Sequence, residues 1–436
     1  MKTKKTLYKI FLFLFVIAIH IPWINWEGIV ASDTQGYIDV SLNWLKSDSI
    51  QIRPIGYPLF LYINRLINPN SFVLTIIFQV VLYASAATLF LEILFKLIVF
   101  RKNWIAFICA IFIFSNPQSL SFNSFLLPET PPLFFIVILI YLLLFCTNRF
   151  ISKLLIFIII VITYFLKPVW FVLILTPMIL FFNNSSNGKL LILLFIFIIS
   201  IPFFINKTAT TNPVESKYIS NIDACLNSSL IRMGIMKGGE NTVLYEAIEK
   251  NKFTDKIKSR KWTDKGLEFN EFRELYDTLN NELWTDNVYW KKVLFYDLNN
   301  FKTYFFKQLS RLPKYFSTSA SNLNVKFNIS FIDNLYQRLY AGIHKYHIVG
   351  VFLIFYFLMI FNKNYLSRSY GHFHILLLYI ILSSAGVIIF FTYQNPHFLR
   401  MRAVTEPLIL FTTFFTCYKI IIFILKKYRL RNDISH

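Results

Sequence analysis

The chain has 436 residues, 56% hydrophobic and 19% aromatic, with 49 Phe and a formal net charge of +21. So apolar a composition excludes an ordinary soluble domain. The basic excess does not indicate nucleic acid, because much of it sits in short loops between apolar runs and the long polar segment interleaves its acids with its bases.

The apolar runs are about 15–25 residues long, the length of helix that crosses a bilayer core, and they do not alternate as barrel strands do. Met1–Lys5 followed by Leu7–Pro22 reads as an uncleaved signal anchor. Cleavage is the alternative, against which Ile29-Val30-Ala31 is a poor site. The polar stretch Trp23–Asn70 comes next. Further spans are expected at Phe72–Phe100, Trp104–Phe114, Pro132–Phe145, Leu154–Leu166, Val169–Phe182 and Leu190–Ile205. The polar insert Asn206–Tyr346 begins with a Thr- and Asn-rich linker, Lys207–Pro213. It carries helical spacing at Val243–Ile248, Leu267–Leu283 and Val288–Phe306. His347–Phe361, Phe373–Tyr393 and Glu406–Leu425 complete the set.

The expected architecture is an all-α polytopic membrane protein of about ten transmembrane helices with a mostly helical extracytoplasmic insert. It divides into an N-terminal membrane domain (1–205, first loop 23–70), the insert (206–346) and C-terminal helices with a basic tail (347–436). An even count places Lys2/Lys4/Lys5, Arg101/Lys102, Arg149/Lys153, Lys189, Lys363/Arg368 and Lys426/Lys427/Arg429/Arg431 together, on the cytoplasmic side with both termini. The first loop, 115–131, the turn at Lys167-Pro168, the insert and 394–405 then share the outer face.

Of Cys109, Cys146, Cys225 and Cys417, only Cys225 falls in the insert, so no disulfide and no metal-binding cysteine cluster is expected. His344 and His347 have metal-like spacing without a third ligand, and His372 and His374 lie toward the cytoplasmic side. Neither pair predicts zinc. Glu92 and Lys96, one turn apart, are expected to pair.

The first loop is the most informative stretch. Asp33 opens an amphipathic segment in which Ile38, Leu42 and Leu45 share a helical face. Asp33 or Ser32 serves equally well there as an N-cap. Arg53-Pro54-Ile55-Gly56-Tyr57-Pro58 follows, a stiff turn whose glycine permits close approach and whose Pro58 suits a helix start. An arginine on so stiff a frame is either a headgroup anchor or a positioned cation. Lys167 interrupts an almost unbroken apolar hairpin, and an intramembrane ion is a functional candidate. Glu129, among prolines, suits a helix N-terminus. Arg400 and Arg402 read equally as interfacial anchors or as a phosphate clamp.

Asp33-x-x-x-Tyr37 followed by Arg53-Pro54-x-Gly56-Tyr57-Pro58 resembles the first extracytoplasmic loop of C-fold (GT-C) glycosyltransferases, closest to the bacterial protein-mannosyltransferase type. Leu127-Pro128-Glu129-Thr130, Lys167-Pro168 and His397–Arg402 with Glu406-Pro407 resemble further family segments in the same order. Lys167 stands where the family has Arg, Ile55 where it has Pro, and the insert has no counterpart. The resemblance implies transfer of a sugar, with inversion, from a polyprenyl-phosphate donor to a glycan, lipid or protein hydroxyl at the outer face of a bacterial inner membrane. It implies Asp33 as the catalytic residue and Tyr37, Arg53, Tyr57, Glu129, Lys167, Arg400 and Arg402 as substrate-binding residues. The chemistry is consistent with this kit. The acceptor hydroxyl needs a base, and the departing phosphate gains charge that cations stabilise. Asp33 either takes that proton or ligates a divalent Mg or Mn ion. A polysaccharide polymerase or ligase, with its chemistry in the large loop, and a lipid-linked glycan flippase are the alternatives. The uniformly apolar spans disfavour the flippase.

Overall fold

The computed structural model describes residues 2–22, 24–30, 34–42, 56–100, 102–146, 150–176, 298–317, 338–344, 348–360, 369–391 and 402–434. Asp33, Arg53, Arg400, Cys225, His347, the span expected at 190–205 and most of the insert lie outside the described residues. The described elements are all helical, with one isolated bridge between Ile29 and Phe125. In chain order they are α1 (Lys2–His20), α2 (Thr34–Leu42), α3 (Gly56–Ile67), α4 (Val73–Lys96), α5 (Asn103–Phe114), α6 (Pro117–Phe122), α7 (Thr130–Phe145) and α8 (Phe150–Leu166). A 3-10 helix, Pro168–Leu175, follows. Then come α9 (Leu298–Leu309), α10 (Leu312–Ser317), α11 (Arg338–His344), α12 (Ile348–Ile360), α13 (Ser369–Phe391) and α14 (Glu406–Ile434).

Three helices are long and apolar enough to cross a membrane: Val73–Lys96, Gly371–Ile389 within α13 and Glu406–Leu425 within α14. α11 and α12 add a fourth if they form one bent span. The 24 residues of α4 rise about 36 Å, enough for a hydrocarbon core of about 30 Å. α5, α7 and the Ile151–Leu166 portion of α8 are apolar but shorter. The expected count of about ten spans is therefore not reached among the described residues. The run after Asn103 illustrates why. The Ser115 N–H closes the last turn of α5 on the Ile111 carbonyl. Asn116 then caps a new short helix, accepting from the Ser119 N–H at 2.8 Å, with Pro117 in its first turn. The stretch expected as a span from Val169 likewise begins as a 3-10 helix, right after Lys167.

α4 is the central post. It packs against α1, α5, α7 and α3, while α14 packs against α12 and α5. Ala84, Ala86 and Ala87 are all buried on α4; small residues allow the close helix approach that packing between apolar helices requires. Phe90 meets Phe411 edge-on at 5.4 Å, joining α4 to α14.

This packing corrects two local expectations and adds to two others. Glu92 pairs with Lys9 of α1 at 3.2 Å rather than with Lys96. The Lys96 ammonium instead donates to the Tyr141 hydroxyl at 2.5 Å and lies over that ring. Neighbouring helices bring partners closer than the next turn does. On α2, Thr34, Tyr37, Ile38 and Ser41 are buried while Leu42 is exposed, so the apolar face is not the one drawn through Ile38, Leu42 and Leu45. The contact with α3 selects that face. His374 is buried, with Nδ1 at 2.5 Å from the Tyr356 hydroxyl and its ring against Phe415. The helix expected at Val288–Phe306 is described from Leu298 and runs on to Leu309.

Candidate active site at one end of the bundle

Of the resembling segments, Gly56, Tyr57 and Pro58 open α3. A Cβ on Gly56 would lie 2.7 Å from the Phe165 carbonyl carbon, so only glycine lets α3 meet the end of α8 this closely. Tyr57, fully buried, donates to Gln79 Oε1 at 2.9 Å. Gln79 Nε2 in turn donates to the carbonyls of Asn123 at 2.9 Å and Phe125 at 3.1 Å. Tyr37 meets Tyr57 edge-on at 5.4 Å. Tyr37, Ile38, Tyr57, Leu61, Leu126, Leu127 and Leu166 form one buried cluster with Ile76. The first loop, the Leu127–Thr130 segment and the approach to Lys167 are thus packed together.

The backbone ties the same segments. The Ile29 N–H donates to the Ser124 carbonyl at 2.7 Å, and the Leu126 N–H donates to the Ile29 carbonyl at 3.2 Å. The bridge between Ile29 and Phe125 is parallel. Gly28, at φ +82°, turns the chain into it, against the Leu126 side chain.

Next to this cluster lies an ion pair. The Lys167 ammonium donates to Glu129 Oε1 at 2.9 Å, and both side chains are buried, at 7% and 0% exposure. Glu129 occupies the N-cap position of α7, where the helix dipole favours a negative charge. Lys167 is extended at φ −158° between α8 and the 3-10 helix, and its N–H donates to the Thr163 carbonyl at 3.1 Å. The base of α7 is held by an uncharged chain of polar contacts: Thr130 donates to Asn123 Oδ1, and Asn123 Nδ2 lies 2.6 Å from His20 Nε2. His20 Nδ1 lies 2.5 Å from the Val16 carbonyl, which can only accept, so Nε2 is the acceptor for Asn123.

A second cluster occupies the same end of the bundle. Arg402 is fully buried, with Nε 2.7 Å from Glu406 Oε2 one turn later. It also donates to Gln118 Oε1 at 3.0 Å and to the Tyr315 carbonyl. His344 Nε2 lies 2.5 Å from Glu406 Oε1, and its Nδ1 lies 3.0 Å from the Phe316 carbonyl, so both ring nitrogens face acceptors. The Ser119 hydroxyl donates to the Ala403 carbonyl at 3.1 Å. Arg402 is therefore not an interfacial anchor, because a carboxylate within the next turn and acceptors on α6 and α10 hold it inside. Burial pushes the Tyr315 phenol up to about 12, with the Arg402 guanidinium pulling the other way.

Of the expected site residues, Tyr37, Tyr57, Glu129 and Lys167 come together, and Arg402 joins them through α6 and the loop after it. The expected clamp is altered: its two described cations, Lys167 and Arg402, each face a carboxylate. A phosphate arriving here would compete with Glu129 and Glu406 for them. Such pairing keeps buried charges affordable in an apolar surround. The described residues hold no group of three or more His, Cys, Asp or Glu placed to bind a metal ion, and a dication at Glu129 would have to displace an ammonium. Gln79 was not legible in the sequence, and His344 was read only for its metal-like spacing with His347. The spacing Arg402-x-x-x-Glu406 is a signal for the second cluster, but nothing in the sequence links Gln79 to Tyr57.

Comparison with known protein families, with curated proteins and with solved structures finds no match to this chain.

Proposed function

We propose that the protein is a membrane glycosyltransferase of the C-fold type, transferring a sugar from a polyprenyl-phosphate donor to a hydroxyl of a cell-envelope glycan, lipid or protein. The observation that carries this reading is the gathering of Tyr37, Tyr57, Leu127 and Leu166 into one buried cluster beside the Glu129–Lys167 pair. Tyr37 and Tyr57 lie in the first-loop stretch that resembles the family, Leu127 lies in a second, and Leu166 adjoins a third, Lys167-Pro168. In the chain, Asp33 follows Ile29 by four residues and Glu129 follows Phe125 by four, and Ile29 and Phe125 are the two partners of the parallel bridge.

In this mechanism the Asp33 carboxylate accepts the acceptor's hydroxyl proton as the oxygen attacks the anomeric carbon. The bond to the lipid phosphate breaks with inversion, and the phosphate leaves with the electron pair. Arg53, Lys167, Arg400 and Arg402 supply cations for that charge. Glu129 holds Lys167 extended and buried until the phosphate arrives, so the ammonium exchanges one oxyanion for another without passing through water. The end of the bundle carrying Glu129, Lys167 and Arg402 faces the outside of a bacterial plasma membrane, by the distribution of Lys and Arg in the short loops.

Purified protein in lipid vesicles, given labelled polyprenyl-phosphate sugars and envelope acceptors, tests the proposal. Sugar transfer is expected, with D33N inactive yet folded. Unchanged transfer by D33N would remove Asp33 from the reaction, and absence of transfer across a panel of sugars and acceptors would remove the proposal.

A further inference from the structure

The described end of the insert presents a face that the bundle does not cover. On α9, Tyr304 and Gln308 point inward and are buried, with the Gln308 amide donating to the Tyr304 hydroxyl at 3.1 Å. The outer face exposes Phe301, Phe306 and Leu309, and Phe306 is 63% exposed. Leu339 of α11 is exposed as well. Lys302 and Lys307 of α9 are exposed, as are Lys314 of α10 and Arg338 of α11. Residues 298–317 and 338–344 contain no Asp or Glu, whereas 240–297 mix both signs.

The position of this face matters as much as its composition. α9 packs on α13, and α10 packs on α12 and α13. The Tyr315 carbonyl accepts from Arg402, just before α14 begins, and His344 at the end of α11 meets Glu406. α9 and α10 therefore pack on α13, a helix long enough to cross a bilayer, and α10 and α11 meet the start of another, α14. A helix beside such spans that exposes aromatic and basic side chains together suits the boundary between headgroups and acyl chains. Lysine and arginine stems reach from such a face to phosphates.

We infer that Phe301, Phe306 and Leu309, with Lys302, Lys307, Lys314 and Arg338, form a docking face for anionic phospholipid headgroups of the surrounding bilayer. The phenyl rings enter the acyl boundary and the ammonium groups collect headgroup phosphates around them. This inference does not rest on sugar transfer; it concerns the lipid beside the site rather than the molecule in it.

The test uses full-length protein in nanodiscs, labelled with bimane at F306C in a background whose other accessible cysteines are replaced by serine. Brominated phosphatidylglycerol is expected to quench the label at least about threefold more than brominated phosphatidylcholine at equal mole fraction, since each basic residue near an anionic surface adds attraction. In K302Q/K307Q/K314Q/R338Q the two lipids are expected to quench equally. The charge-preserving K302R/K307R/K314R is expected to keep the preference, which separates lost attraction from misfolding. Equal quenching by both lipids without these substitutions would overturn the inference. So would quenching by aqueous iodide at the level of free dye, or shielding from both lipid and iodide, which would mean that protein covers the face.

Discussion

The buried Glu129–Lys167 pair gives the sharpest test of the site's construction. Lys167→Met removes the ammonium 2.9 Å from the fully buried Glu129 carboxylate, and Glu129→Gln removes the charge of the carboxylate that faces that ammonium. Breaking a buried pair from either side costs about 3–5 kcal/mol, because the surviving charge stays in a dry surround. Replacing both partners removes both charges, and the double variant is expected to cost far less than the sum of the singles. The coupling energy should be at least about 2 kcal/mol. Reversible unfolding in mixed micelles titrated with SDS measures all four corners of the cycle. Single variants that each cost under about 1 kcal/mol and add in the double variant would refute the placement of these two charges in contact away from water.

Three more outcomes follow from the same geometry. Tyr57→Phe removes the donor to the buried Gln79 Oε1 and should cost about 1–3 kcal/mol in the same unfolding assay. Gly56→Ala puts a methyl 2.7 Å from the backbone of Phe165, which cannot rotate away. Overpacking of about 1–3 kcal/mol is expected, with a lowered unfolding midpoint. The Tyr315 phenol, raised to about 12 when folded, binds its proton more tightly than in the unfolded chain. Its contribution is full below about pH 10 and is lost as pH rises through 12. Between those values the unfolding midpoint should fall less steeply for Tyr315→Phe than for the parent protein.

The apolar helices were legible because composition alone demands them: α4, α7, α13 and α14 each lie within or close to an expected run. Their ends were less legible. A run of apolar residues does not say where Asn116-Pro117 restarts the helix, although an Asn-Pro pair is a recognisable capping signal. The burial of Thr34 and Ser41 rather than Leu42 was hidden, because a nine-residue helix takes its inner face from its neighbour. Ion pairing was the least legible layer. Lys9 and Glu92 lie on different helices, as do His344 and Glu406, and helical spacing reveals only partners one turn apart, such as Arg402 and Glu406. The family-like stretches suggested that Lys167 and Arg402 matter. They did not suggest that each would arrive already holding a carboxylate.

The Arg402–Glu406 cluster also sets an order of assembly. Its contacts reach back 87 residues to Tyr315 and 62 residues to His344, and both partners leave the ribosome before α14 exists. α10 and α11 can therefore meet α5, α12 and α13 first, and gain their contacts to Arg402 and Glu406 only once the start of α14 has been made. A nascent chain stalled before Arg402 would carry the Glu129–Lys167 pair, yet lack the buried contacts that tie α10 and α11 to the start of α14. The start of α14 is thus the segment whose arrival completes this buried cluster, after the Glu129–Lys167 pair has been made.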